Sequence, residues 1–129
     1  MKNGNYAIYE GKEYSADYIK GKGIVLRSEN IEDLKNGFEI YDGYNKDIIC
    51  IKFVEKTEIK EFYRIRTKAI YADYEFEVVD EKDEMISIVT MVGDYQIWES
   101  LNMKCIDRGV YQKWISKGDA EIKIVKEEL

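Results

Sequence analysis

The sequence contains no histidine and no proline. Without an imidazole, Ser-His-Asp and Cys-His nucleophilic systems, HExxH zinc sites and histidine general acid–base chemistry are excluded together. Carboxylate, lysine, tyrosine or cysteine chemistry remains, and none of it leaves a recognisable motif. The patterns GxxxxGK[ST], GxGxxG and GxSxG are missing, and the acidic run DEKDE at residues 80–84 has no glycine where a calcium-binding loop must turn. Glycosidase-type carboxylate pairs are set by distance in space, so a carboxylate-based enzyme stays as a minor alternative to a non-catalytic protein. Only two cysteines occur, Cys50 and Cys105. They are too few for a disulfide scaffold and not spaced as a zinc knuckle, so both are expected to be buried, reduced thiols. No metal and no cofactor are expected.

Long apolar runs are also lacking. The longest, Ile48–Ile51 and the interrupted stretch Met85–Val92, fall far below the roughly 18 residues of a membrane helix. The opening MKNGNYAIYEGKEY carries neither a long apolar segment nor a small-residue cleavage site, so a cytoplasmic location is expected if the chain is complete. What is present is ample core material. The 129 residues are 45% hydrophobic and 13% aromatic, which suits one ordinary domain or two very small ones.

The chain repeats itself. Ala7-Ile8-Tyr9, followed by Glu13-Tyr14, returns 62 residues later as Ala69-Ile70-Tyr71, followed by Glu75-Phe76. At the same offset Lys20 meets Lys82, Ile24 meets Ile86, Leu26 meets Ile88 and Ser28 meets Thr90. Further on, Lys52-Phe53-Val54 matches Lys113-Trp114-Ile115, and after a two-residue insertion at Gly118-Asp119, Glu58-Ile59-Lys60 matches Glu121-Ile122-Lys123. An ordered series of this kind reads as an internal duplication, with copies at residues 1–66 and 67–129.

Each copy reads as strands. Residues 69–79 alternate Ile70, Ala72, Tyr74, Phe76 and Val78 with Tyr71, Asp73, Glu75 and Glu77, the period of two of a strand with one buried face. A turn at Asp80–Glu84 then leads into a strand at Met85–Val92. Further strands are predicted at Tyr95–Leu101, Met103–Ile106, Val110–Ile115 and Ala120–Val125, and in the first copy at Tyr6–Tyr18, Gly23–Arg27, Phe38–Tyr41, Ile48–Glu55 and Glu58–Arg66. The one helical candidate is Ile31–Asn36, with Asn30 as N-cap, Asp33 at the third position and Gly37 beyond the end. Units of about 60 residues with five or six short strands point to an all-β protein of two small SH3-like barrels packed in tandem. The alternative is one larger curved antiparallel sheet.

Charge is unevenly placed. Residues 1–66 hold 12 basic and 12 acidic side chains, net 12 − 12 = 0, whereas residues 67–129 hold 8 and 14, net 8 − 14 = −6. Alternation puts Tyr71, Asp73, Glu75 and Glu77 on one outward face, with Asp80, Glu81, Asp83 and Glu84 in the adjoining turn. These eight residues are the predicted partner-binding set. Clustered carboxylates with an aromatic anchor suit a basic protein partner; the plain alternatives are a solvated face that resists edge-to-edge pairing or a divalent-metal site. Tyr9 takes the place equivalent to Tyr71, Tyr14, Tyr74, Phe53 and Trp114 are expected in the cores, and Tyr95 and Trp98 stand at the rim or, for Trp98, inside. Nucleic-acid binding is disfavoured by a pI near 4.8 and by only four arginines.

Short, acidic, tyrosine-rich and without a catalytic constellation, the chain resembles the immunity proteins of bacterial polymorphic-toxin and contact-dependent inhibition systems. The resemblance implies a cytoplasmic protein that neutralises a basic toxin domain, such as a nuclease, by stoichiometric binding through an acidic, aromatic-rich face. A scaffold or adaptor whose SH3-like units bind a peptide segment is the second reading.

Overall fold

The computed structural model describes residues 2–41 and 48–129. Strands dominate it: β1 (Gly4–Tyr9), β2 (Lys12–Ile19), β3 (Gly23–Ser28), β4 (Glu39–Tyr41), β5 (Ile49–Val54), β6 (Glu61–Tyr71), β7 (Tyr74–Lys82), β8 (Met85–Thr90), β9 (Lys104–Asp107), β10 (Val110–Ser116) and β11 (Glu121–Glu128). Among the described residues they are interrupted only by a short α-helix, α1 (Tyr95–Ser100), and by 3-10 turns at Ile31–Asn36, Lys56–Glu58 and Lys117–Asp119. The protein is nearly all β, as the period-two patterning predicts. No helix among the described residues is long and apolar enough to cross a membrane.

Two compact units emerge, one of Gly4–Arg64 with Glu127–Leu129, the other of Ile65–Lys126 with the N-terminal residues as far as Asn3. Strand β6 serves both: up to Arg64 it belongs to the first, from Ile65 to the second. In the first unit the hydrogen-bonded order is β4-β5-β3-β2-β1-β6; in the second it is β9-β10-β8-β7-β6-β11. The order of elements is therefore the same twice: three strands, a short helix, an edge strand, a longer strand, a 3-10 turn and a last strand. The first core gathers Ala7, Tyr9, Tyr14, Ala16, Ile24, Leu26, Phe38, Cys50 and Val54. The second gathers Ala69, Phe76, Val78, Ile86, Ile88, Trp98, Met103 and Ile115, with Tyr71 packed against it. The matched pairs Ala7 and Ala69, Tyr14 and Phe76, Ile24 and Ile86, Leu26 and Ile88, and Val54 and Ile115 thus occupy matched core positions.

The structure moves several predicted boundaries. Tyr6–Tyr18 is not one strand but the hairpin β1–β2, turning at Glu10 and Gly11 with φ of 48° and 79°. Residues 69–79 likewise split into β6 and β7 at Ala72 and Asp73, with φ of 51° and 69°. Two successive residues of positive φ make the hairpin turn whose twist matches the flanking strands. The predicted turn at Asp80–Glu84 shrinks to Asp83 and Glu84, because β7 continues to Lys82. Tyr95–Leu101 is helical: the Asp94 side chain accepts the Gln96 N–H as an N-cap, and the turn it starts buries Trp98. The 3-10 turn at Ile31–Asn36 forms where expected, with Asn30 capping the Glu32 N–H and Gly37 at φ 85° closing it. Cys50 is buried as expected, but Cys105 lies on edge strand β9 and is exposed.

Candidate functional site

Tyr71 is not on the acidic face. In an unbroken strand residues 71 and 74 would point to opposite sides, but the two-residue turn makes them a cross-strand pair that shares one face. Tyr71 therefore joins Ala69 and Phe76 on the core side, its ring 6.4 Å from that of Phe76, and its hydroxyl accepts a hydrogen bond from Lys113 Nζ at 3.2 Å. Tyr9 of the first copy is turned inward in the same way, buried, with Lys52 Nζ donating to its hydroxyl at 2.9 Å.

Glu75 and Glu77 do leave β7 on the face opposite the buried Phe76 and Val78. Register fixes their neighbours: Lys68 opposite Glu77, Ile70 opposite Glu75, Val89 opposite Glu77 and Gln112 opposite Val89. A bulge between Val78 and Asp80 extrudes Val79 and returns Asp80 to the outer face, opposite Ser87, with Trp114 next in the same row. Trp114 is 40% exposed, not a core residue as expected, and Phe53, its counterpart in the first copy, is 43% exposed. Both alternate outward between buried or half-buried neighbours on their strands. Tyr74 is also partly exposed, and Tyr95 lies exposed on α1.

Three of the predicted carboxylates, Glu75, Glu77 and Asp80, are thus brought together on the outer face. Lys68 Nζ lies 3.1 Å from Glu75 Oε1 and 3.8 Å from Glu77 Oε1, and Lys123 Nζ lies 3.7 Å from Glu75 Oε2. The hydrogen bond and charge of Lys68 hold the Glu75 carboxyl below its ordinary value, with Lys123 adding to the effect. Glu81 turns instead to Lys117, whose hydrogen bond leads the causes that hold its carboxyl down to about 2. Asp73 sits in one hairpin turn and Asp83 and Glu84 in the other, at opposite ends of the nine-residue β7, roughly 30 Å apart at strand spacing. Tyr71 on the core side and Glu81 at Lys117 drop out of the predicted face, the other six are spread along β7 and its two turns, and no group of three or more metal-ligating side chains occurs among the described residues. An exposed indole beside carboxylates can hold a Lys or Arg side chain, the acids supplying counter-charge and the indole a cation–π surface.

A second site went unnoticed in the sequence, where Asp33 stood only as a helix residue. Its side chain is 2% exposed and accepts hydrogen bonds from Ser28 Oγ, from Asn36 Nδ2 at 3.0 Å and from Tyr14 OH at 3.3 Å, with Lys12 Nζ 3.8 Å away. The Ser28 bond leads the donors that keep the carboxyl below its ordinary value despite burial, while burial and then the Asp33 charge push the Tyr14 hydroxyl up. Beside this network opens a cavity of about 330 Å³, lined by Lys12, Tyr14, Ser28, Asn30 and Asp33 with Glu13, Ser15, Arg27 and Glu29. The repeat gave no signal here, since at its offset of 62 Asp33 falls on Tyr95.

No curated protein and no solved structure matches the chain. Residues 1–129 match the family model described as "Uncharacterised conserved protein UCP033725", and the chain belongs to that family.

Proposed function

We propose that this family member is a non-catalytic binding protein that engages a basic protein partner through the outer face of its second copy, as toxin-neutralising immunity proteins of the cytoplasm do. The observation that carries the reading is an exposed indole, Trp114, on the same outer face as Asp80, Glu77 and Glu75, two strands from Asp80 across the buried Ser87, in the acidic half of the chain. Exposed Trp and charged neighbours are the combination that anchors and steers protein interfaces. Each copy is read as an SH3-like unit, because the order β6-β1-β2-β3-β5, with a 3-10 turn before the last strand, resembles that fold and recurs in the second copy. The adaptor reading is favoured by β9, an edge strand with all four residues exposed, which offers a free rim for a peptide strand.

The test is affinity capture from the native host with the wild-type chain, the Trp114→Ser variant and the Glu75→Lys/Glu77→Lys variant side by side. A basic protein retained in equimolar amount by the wild type alone, and released by salt, is the expected result. Equal retention of the same protein by all three chains would move the interface off this face.

A further inference from the structure

The copies differ most at one internal place. Asp33 and Trp98 are equivalent: the carbonyl of each accepts the N–H five residues on, from Phe38 at 3.3 Å and Met103 at 3.0 Å, and each is followed by a left-handed residue, Gly37 or Asn102. In the second copy the Trp98 indole fills the wedge where the start of β7 diverges from the end of β8. It packs edge-on to Tyr74 at 5.3 Å and Phe76 at 5.2 Å, and Nε1 donates to the Val92 carbonyl at 3.1 Å. Gly93 is required beside it, since a Cβ there would stand 2.8 Å from the ring.

In the first copy the same wedge is present and holds the carboxylate of Asp33 in place of the indole. The β2–β3 ladder ends at Ser15 and Arg27, leaving Lys12–Tyr14 and Ser28–Asn30 apart. Lys12, Tyr14, Ser28 and Asn30 stand where Tyr74, Phe76, Thr90 and Val92 stand, and the far smaller Asp33 is drawn to the wall by Ser28, Tyr14 and Asn36. The cavity of about 330 Å³ is lined by these residues together with Glu13, Ser15, Arg27 and Glu29, at the lower end of the roughly 300–1,000 Å³ of small-molecule sites. We propose that this wedge is a binding site for a planar, electron-rich aromatic ring of the indole kind, seated against Tyr14 as Trp98 is seated against Phe76. The Lys12 ammonium, 5.9 Å from the Tyr14 ring and on a side chain 58% exposed, replaces the edge contact of Tyr74 with a cation–π contact. This site lies in the first copy and does not depend on the interface assigned to the second.

The experiment is an NMR titration of ¹⁵N-labelled protein with indole and, in parallel, with an acetylated and amidated Gly-Trp-Gly peptide. Amide shifts centred on Lys12, Tyr14, Ser28 and Asn30 are expected, saturating with a dissociation constant on the order of 1 mM or tighter. Binding of the peptide as well as of indole assigns the ring to a partner's side chain; binding of indole alone assigns it to a free ligand. Asp33→Trp, which gives the first copy the plug of the second, should abolish the shifts, and Lys12→Met should weaken binding roughly two- to fivefold with the cavity intact. The proposal is overturned if neither probe gives saturable shifts, if the shifts centre elsewhere, or if folded Asp33→Trp protein responds as the wild type does. Should that variant fail to fold, an unchanged affinity in Lys12→Met overturns it.

Discussion

Lys52 in the first copy and Lys113 in the second perform one task with one geometry. Lys52 Nζ reaches the Tyr9 hydroxyl at 2.9 Å and the Asn36 carbonyl at 3.0 Å, and Lys113 Nζ reaches the Tyr71 hydroxyl at 3.2 Å and the Leu101 carbonyl at 2.9 Å. Each ammonium also lies over its tyrosine ring, at 4.9 Å and 5.4 Å. Ser28 and Thr90 repeat a smaller device, each hydroxyl accepting the N–H two residues on. Against this shared frame the copies part at two places, the wedge held by Asp33 or Trp98 and the outer faces bearing Phe53 or Trp114. The frame tolerates little variation because it closes the helix onto the sheet, whereas the wedge and outer faces can change without reopening that closure.

Removing the wedge residues should produce the largest effects and should tell the copies apart. Trp98→Ala takes a buried indole from between Tyr74 and Phe76 and should cost about 4 kcal/mol. Asp33→Ala leaves the Ser28, Asn36 and Tyr14 donors without their acceptor and should cost about 3 kcal/mol at neutral pH. Only the second loss depends on pH. The folded carboxyl of Asp33 lies below its ordinary value, so it stabilises the fold above the unfolded value of about 3.9, and that contribution disappears as pH falls through the lower folded value. Urea denaturation of wild type, Asp33→Asn and Trp98→Ala at pH 7 and pH 3 checks this; a Trp98→Ala deficit that vanished in acid, or an Asp33→Asn deficit that did not shrink, would break the contrast.

The fold was legible where side-chain period and repeat agreed, and obscured where a turn inverted the period. Alternation placed Phe76 and Val78 inside and Glu75 and Glu77 outside, as found. It failed at Tyr71, because Ala72 and Asp73 turn the chain without a glycine or proline to mark them, and each two-residue turn shifts parity by one. It failed again at Tyr95–Leu101, where the isoleucine and aromatics read as a strand and the Asp94 cap decided for helix. The outer-face carboxylates were legible by number, but the aromatics were misassigned: Tyr71 lies on the core side, and Trp114, expected in the core, alternates outward between half-buried Lys113 and buried Ile115. Asp33 was invisible as a site because nothing in sequence shows that Ser28 and Tyr14 turn toward it.

The shared frame should show itself as an equality. Lys52→Met and Lys113→Met each remove two hydrogen bonds and one cation–π contact, and each should cost about 1.5 kcal/mol. Chemical denaturation of the two variants should give losses that agree closely. A loss confined to one would mean that the matched geometry is energetically idle in the other copy.

A finer contrast lies in the carboxylates. Glu81 stands opposite Ile86 where Tyr18 stands opposite Ile24, so the second copy has a half-buried, paired acid where the first has an exposed ring. Carboxyl-carbon NMR should find Glu81 titrating at about 2 and Glu75 below the usual glutamate range. Lys117→Met should raise Glu81, and Lys68→Met should raise Glu75. If Glu81 titrates normally in the wild type, its pairing with Lys117 does not persist in solution.

The smallest effect on folding, and the most telling for function, concerns the outer faces. Phe53 and Trp114 occupy equivalent rows, opposite Val25 and Ser87, at nearly equal exposure. Replacing either by Ser should lower stability by about 1 kcal/mol, and alike in the two copies, because each ring is more than half covered. Partner binding should separate them. Trp114→Ser removes the proposed anchor on the face of Asp80 and Glu77 and should speed dissociation, by an amount on the order of 2 kcal/mol. Phe53→Ser should leave the rates as they were, because its neighbours across β3 and β2 are Val25 and Asp17, and the Asp17 carboxylate is already paired with Arg27 at 2.6 Å. Glu75→Lys/Glu77→Lys should act on the other rate, slowing association and flattening its dependence on salt, since exposed charges steer encounter more than they hold a complex. Surface plasmon resonance on these variants at low and high salt reads both rates. Faster dissociation for Phe53→Ser with Trp114→Ser unchanged would place the interface on the first copy, where the acidic excess of the second could not steer it.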